Sequence, residues 1–394
     1  MVTTSKLVLP NVSNTNLEFR NSIFSNMKQL REIDLSNLSA GAAEDASETL
    51  LTTNITNFTG FIFENCTALT TVNYPKSIAA IPAYIFKGCS SLNDFNFNDL
   101  TNLTSIGTAA FQNSGLSGTI DLTSCTKLTS IPGYFISGTE VNEVKVPNTI
   151  TSISESAFMD ATSLNTLDLT NITSNNLNLG RNSLRNTGLT EVDTVAATGN
   201  GSSQTGLLLP TNKEIILAGN DQFSNMPNLT SVKLESTSET NNGNTNPLGV
   251  FTNSSKLKTI DLSKFKAVQY IVNGNSNNKG TYSCFKGLPN ITEMKVVNVD
   301  NKVSATDGQL LLPNTLTSYS QYAFQGMTGL TKVDLNAATN LTTINANAFA
   351  QSPITELTLP TSTTVSVGGV DINLTPVSQL VINGVIGGAL QISG

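Results

Sequence analysis

A curved solenoid of about 13 stacked repeats, made of short parallel β-strands joined by loops and short helical turns, is the fold the sequence predicts. Three observations predict it. The phrase SAFMDATSLNTLDL at 156–169 returns, reworded, as YAFQGMTGLTKVDL at 322–335. A bulky apolar anchor recurs with that phrase, at Phe24, Phe63, Phe86, Phe111, Ile136, Phe158, Leu184, Phe223, Phe251, Phe285, Phe324, Phe349 and Ile372. A second apolar pair ends five residues before many anchors, as Ile81 does before Phe86, Ile153 before Phe158 and Val367 before Ile372.

Each element follows from this spacing. Five or six residues after the anchor begins an L-x-x-V-x-L segment, such as Leu164, Leu167 and Leu169. Its V-x-L part alternates, so the apolar residues face one side and the residues between them the other, which describes a short strand. One such strand cannot bury its apolar side alone; stacking on the next repeat does so. Where repeats follow without insertion the anchors are 22 to 26 residues apart, inside the roughly 20–29 residue window of leucine-rich repeats. The fold class is therefore a leucine-rich repeat solenoid, with residues 1–394 as one array. Leu116 departs by one residue, because Ile120 follows it at four rather than three. KLVLP at 6–10 matches EVKVP at 143–147, so the chain starts mid-repeat, which is expected of a piece of a longer protein. Residues 360–394 read as a degenerate C-terminal repeat or cap, INLTPVSQLVI paralleling FAQSPITELTL.

The repeat resembles one subclass in detail. IFENCTALTTVNYP (62–75) and IFKGCSSLNDFNF (85–97) resemble the A-F-x-x-C-x-x-L-x-x-I-x-L-P signature of the BspA-like, Treponema-type leucine-rich repeats. The resemblance implies an exported or surface-attached protein of host-associated bacteria, with relatives in protozoan parasites, and adhesion to host matrix proteins or other cells. Leu184 stands where the family has Phe, and several copies lose one residue.

Composition removes whole classes of function. Charged residues are 12% of the chain, about half the usual roughly 25%, and Asn, Ser and Thr fill the difference. That surface is polar but almost uncharged, which suits an extracellular or cell-surface protein. A net charge of −7 and the lack of any basic run argue against nucleic acid. No stretch approaches the roughly 18 apolar residues of a membrane span, and MVTTSKLVLP is no export signal. The chain has no His, the commonest general base and metal ligand, and no Trp, the usual sugar-stacking platform. No Ser therefore has a His to activate it, and the single glycines of GTAAF and GRNSL form no phosphate loop. No enzyme activity, cofactor or metal is expected.

Four cysteines are too few for a disulfide scaffold. Cys66 and Cys89 share the position three after the anchor, where other repeats have Met27, Ala161, Met226, Ser254 and Met327. A position that accepts Cys, Met and Ala reads as interior filler. Cys125 reads likewise, and Cys284 sits beside an anchor. Sequons at Asn54, Asn65, Asn102, Asn228, Asn290 and Asn340 follow largely from repetition of NLT and NIT.

The candidate binding residues lie on the outward positions of the strands. These read Asp34, Asn73, Asn96, Asp121, Lys145, Asp168, Asp193, Lys233, Asp261, Lys295, Asp334 and Thr358. The signs are mixed, so no single-sign field is expected; Lys145 and Asp168 should pair. Asp168 and Asp193 are expected to be like-charged neighbours, too few for calcium. Insertions lie near 36–50, 194–206, 235–247, 273–281 and 298–309. Four of them fall in consecutive repeats and are expected to raise a rim over Asp193, Lys233, Asp261 and Lys295, with Asn200, Asn242, Asn277 and Asp307 as loop contacts. MKVVNV (294–299) with QLLLP (309–313), and VDTV (192–195) with LLLP (207–210), read as hairpins. The function expected is non-enzymatic binding of a protein or glycan on a host or neighbouring cell, by a monomer that inserts in no membrane. The alternatives are a spacer presenting another domain, and a β-helix polysaccharide-active enzyme, which would need three strands per coil.

Overall fold

The computed structural model describes residues 5–8, 22–35, 61–74, 76, 78–195, 205–237 and 249–262, and beyond these only short strands and single residues. The chain divides into two compact units, residues 1–188 with 198–204, and residues 189–197 with 205–394. Both are stacks of parallel strands.

Each unit has a front ladder, built from the V-x-L segments. In the first unit Lys6–Val8 pairs with Glu32–Asp34, which pairs with Thr71–Asn73. After a break, Ser117–Asp121, Glu140–Lys145 and Thr166–Asp168 continue in the same way. A register shift between Gly118 and Thr119 absorbs the one-residue departure that Leu116 introduces. In the second unit the ladder runs Gly206–Pro210, Glu191–Val195, Ser231–Lys233, Thr259–Asp261, Glu293–Lys295, Gln309–Leu311, Lys332–Asp334, Glu356–Leu359 and Gln379–Ile382. All of these pairs are parallel.

The second apolar pair forms a back ladder. Ala80–Ile81 pairs with Ser105–Ile106, and Ser130–Ile131, Ser152–Ile153 and Asn176–Leu179 stack in order. Thr343–Ile344 and Ser366–Val367 repeat the pairing in the second unit. Two ladders per repeat, not three, is the architecture of a leucine-rich repeat rather than a β-helix.

Between the ladders sits the anchor. Phe63, Phe86, Phe111, Ile136, Phe158, Leu184, Phe223, Phe251 and Phe285 are all buried; Phe324, Phe349 and Ile372 lie outside the described residues. Many of the rings stack rung on rung: Phe24 on Phe63 at 5.4 Å, Phe63 on Phe86 at 5.9 Å, and Phe251 between Phe223 at 5.8 Å and Phe285 at 6.1 Å. The anchor segment is a run of turns, as expected. The residue two after the anchor has positive φ in every described repeat from Asn26 to Asn253, and the residue two before it does so in most. Left-handed backbone every four residues stops a right-handed helix from forming. The amides freed in this way bond the next rung. Phe63 N–H donates to Ile85 O, Phe86 N–H to Ala110 O and Phe158 N–H to Ser183 O, while Asn65, Gly88 and Asn113 donate to Lys87, Gln112 and Ser137.

The front ladder breaks at residues 92–97, which carry no strand. There the V and L positions hold Phe95 and Phe97, which cluster with Tyr74, Phe86, Phe111 and Phe135 at ring separations of 4.7 to 6.3 Å. Two bulky rings in one rung take the space that a flat strand pairing would need.

The two hairpins are not present. The strands are where the sequence places them, but Glu191–Val195 pairs parallel with Gly206–Pro210, and Glu293–Lys295 parallel with Gln309–Leu311. Each insertion therefore returns the chain as one more rung. The two returns differ in direction. Gln309–Leu311 lies between its parent strand and Lys332–Asp334, whereas Gly206–Pro210 lies on the edge of Glu191–Val195 opposite Ser231–Lys233. In the latter case spatial order reverses chain order.

Candidate functional site

The predicted site residues Asp168, Asp193, Lys233, Asp261 and Lys295 all lie on the front ladder. Four of them form one in-register column, Asp193 beside Lys233, Lys233 beside Asp261, and Asp261 beside Lys295. The column continues through Leu311, Asp334 and Thr358. The loop residues Asn200, Asn242, Asn277 and Asp307, and the rim they were expected to build, lie outside the described residues.

Two expectations about this column need correction. Both edges of the Asp193 strand are occupied within its own unit, by Leu208 and by Lys233, so Asp168 is not its sheet neighbour. Lys145 is in register with Asp168, but its ammonium pairs with Glu143 of its own strand at 3.8 Å. Asp168 is committed locally: its Oδ1 accepts from the amide and hydroxyl of Thr170, at 2.9 and 2.7 Å. Asp121 repeats this with Thr123. In D-L-T the carboxylate ends the strand by fixing the turn after it.

A second column of the front ladder was missed by the sequence reading. Two residues before the first column stand Glu32, Glu143, Glu191, Glu293 and Glu356, together with Lys6 and Lys332 and among Thr, Ser and Gln. Strand alternation would have shown it, since positions two apart share a face. The described lysines of the front ladder are each held by a carboxylate. Lys6 pairs with Glu32 and Lys145 with Glu143, while Lys233 lies 3.4 Å from Asp193 and 3.9 Å from Glu235. These lysines remain about half exposed, so the ladder's outer side is open to solvent there.

The cysteine position has a specific role. Cys66 and Cys89 are free and buried, and each thiol donates to the anchor carbonyl of the preceding rung, Phe24 O and Phe63 O, at 3.1 Å. Ser254 does the same to Phe223 O at 2.8 Å. The position is interior, as expected, and where it holds Cys or Ser the side chain also bridges rungs. Burial pushes the Cys66 and Cys89 thiols up, and the Cys125 thiol to about 11. Native protein should therefore react with thiol reagents at these residues only at the rate of opening. An unfolded thiol ionises from its ordinary value of 9.0 while the folded one does not, so stability should fall as pH rises through about 9 to 11. In Cys89→Ser that alkaline loss should shrink; an unchanged slope in urea titrations would contradict the assignment.

The sequons have a structural cause as well. Thr104 and Thr230 donate their hydroxyls to Ala79 O and Thr190 O of the preceding rung, at 2.8 and 3.1 Å. Asn102 and Asn228 accept from Lys127 and Lys256. Asn65 is one of the left-handed turn residues. Among the described residues no group of three His, Cys, Asp or Glu could hold a metal, and no helix is long and apolar enough to cross a membrane.

Two ladders, a stacked anchor and an open front face define a leucine-rich repeat protein. Within that class the chain belongs to the BspA type leucine rich repeat family, which matches in six copies over residues 3–134, 96–199 and 308–367. Among solved structures, a leucine-rich repeat protein of Bacteroides ovatus is similar at 20% identity and a TM-score of 0.53, over 89% of this chain and 85% of that one. A leucine rich cell surface protein of Faecalibacterium prausnitzii has 17% identity and a TM-score of 0.40, over 90% and 87%. A leucine-rich repeat protein of Eubacterium ventriosum has 13% and 0.42, over 88% of each chain. No curated protein matches the chain.

Proposed function

We propose that this chain is a non-enzymatic, exported surface protein whose front ladder holds a protein partner on a host or neighbouring cell. One observation carries the reading. Parallel sheets are ordinarily covered on both faces, yet this ladder keeps half-exposed lysines and carboxylates along its outer side. A rigid, stacked floor of polar side chains suits a broad partner surface better than a small molecule. The almost uncharged Asn-, Ser- and Thr-rich remainder suits an extracellular setting.

The test is a panel of extracellular-matrix proteins and glycans screened against the whole chain, then against Thr71→Trp and Ser231→Trp. Both substitutions place a bulky ring on the front ladder without touching the core. A panel member that binds the parent and weakens about tenfold or more on a blocked variant supports the reading, as a clash at an interface centre does. Equal binding to parent and both blocked chains would refute it, and a chain that holds no panel member is left with the role of a spacer.

A further inference from the structure

We infer that the front ladder is built for a basic partner, a lysine- and arginine-rich segment or protein surface. This rests on the front ladder being the interaction face, as proposed above. It is carried by where the charge lies. The whole chain has 28 acidic and 21 basic residues. The front-ladder strands contain 12 of the acidic ones, from Glu32 to Glu356, and only 5 of the basic ones, Lys6, Lys145, Lys233, Lys295 and Lys332. The remainder of the chain therefore has 16 of each. These strands thus account for the entire net charge of −7, and everything else balances to zero.

The imbalance holds in each unit by itself. The first unit's front strands have 6 acidic and 2 basic residues, the second unit's 6 and 3. The back-ladder strands described above contain no charged residue. Mixed signs along the Asp193–Lys295 column concealed this, because that stretch is neutral by itself and the excess is shared equally between the whole column and the glutamate column beside it, with Glu140 adding one more charge.

The described lysines do not reverse the sign locally. Lys6, Lys145 and Lys233 each sit against a carboxylate of their own face. An anionic glycan or nucleic acid would have to break those pairs and would meet the surplus carboxylates as well. A cationic partner meets a surface of opposite sign, which favours encounter and orientation.

The probe is a lysine- and arginine-rich peptide of about 20 residues, titrated against the whole chain at low salt and again near 0.3 M salt, where screening is short-ranged. Heparin serves as the polyanion. Two neutralised variants lose the same number of charges: Glu191→Gln with Asp261→Asn, Glu293→Gln and Glu356→Gln on the ladder, and Asp99→Asn with Glu155→Gln, Asp160→Asn and Glu214→Gln off it. We expect the peptide to bind the parent, heparin not to, and salt to weaken the peptide complex. The ladder variant should weaken it about tenfold and the other set by about twofold at most. Equal losses in the two sets would reduce the effect to net charge and overturn the inference, as would preferential binding of heparin. Any partner found in the panel separates the two ideas. If the tryptophan variants lose it and the neutralised ladder keeps it, the face stands and the basic partner falls. If neither change matters, the face itself is wrong.

Discussion

Phe251→Ala should lower the free energy of unfolding by about 3–5 kcal/mol, the largest single-residue loss expected in this chain. Phe251 is fully buried, with Phe223 stacked on one side at 5.8 Å and Phe285 on the other at 6.1 Å. Removing the ring loses its transfer energy and leaves two phenyl faces without a partner. The backbone cannot close the gap, because the anchor turns are fixed to their neighbours by amide bonds such as Phe223 N–H to Val250 O. Phe158→Ala should cost a similar amount. Urea unfolding followed by circular dichroism measures both. A loss below about 1 kcal/mol, the range of ordinary surface changes, would mean that the stacked anchors do not hold the rungs together.

Gly107→Ala should cost about 3 kcal/mol or more, at the upper end for overpacking. A Cβ on Gly107 would lie 2.1 Å from Ala83 N, 2.5 Å from Ala83 Cα and 2.6 Å from Pro82 C. These are backbone atoms of the preceding rung, and Gly107 N–H donates to Ile81 O beside them at 2.7 Å. No side chain can swing away, so the rungs must part. Gly118→Ala is the comparison: its Cβ would meet nothing within 4 Å, and only its φ of 71° opposes the change, at about 1 kcal/mol. Thermal melts of the two variants should rank them in that order.

Much of the fold was legible because its physics is local. An alternating V-x-L can only be a strand with one apolar side, and Ile81, Ile106 and Ile153 marked the back ladder in the same way. Less of it was visible where the outcome depends on neighbours. The residue two after the anchor is Asn, Gly or Asp in all nine described repeats, a written signal for left-handed backbone. In eight of the nine the residue two before it is left-handed as well, as Ser, Tyr, Ala, Asn, Asp or Gly, with Phe61 the exception; Tyr84 and Tyr134 give no such signal, and stacking imposes the conformation. LLLP after a polar insertion reads as the return of a hairpin, because pattern alone does not distinguish parallel from antiparallel pairing. The candidate column was found by its Asp and Lys residues, while the glutamate column was overlooked through attention to one position per rung. That omission hid part of the charge excess.

The central claim is that the partner-binding role proposed above attaches to the front ladder because that ladder is open to solvent and carries the chain's net negative charge. Spin labels at Thr71 and Ser231 on the front strands, and at Ser105 and Ser130 on the back strands, can be relaxed by cationic and anionic paramagnetic complexes of equal size. The ratio of the two rates reports the sign of the local potential without any partner. The account predicts that at low salt the cationic complex relaxes the front labels several-fold more than the anionic one, while the back labels show a ratio near one. Equal ratios at all four sites would contradict it.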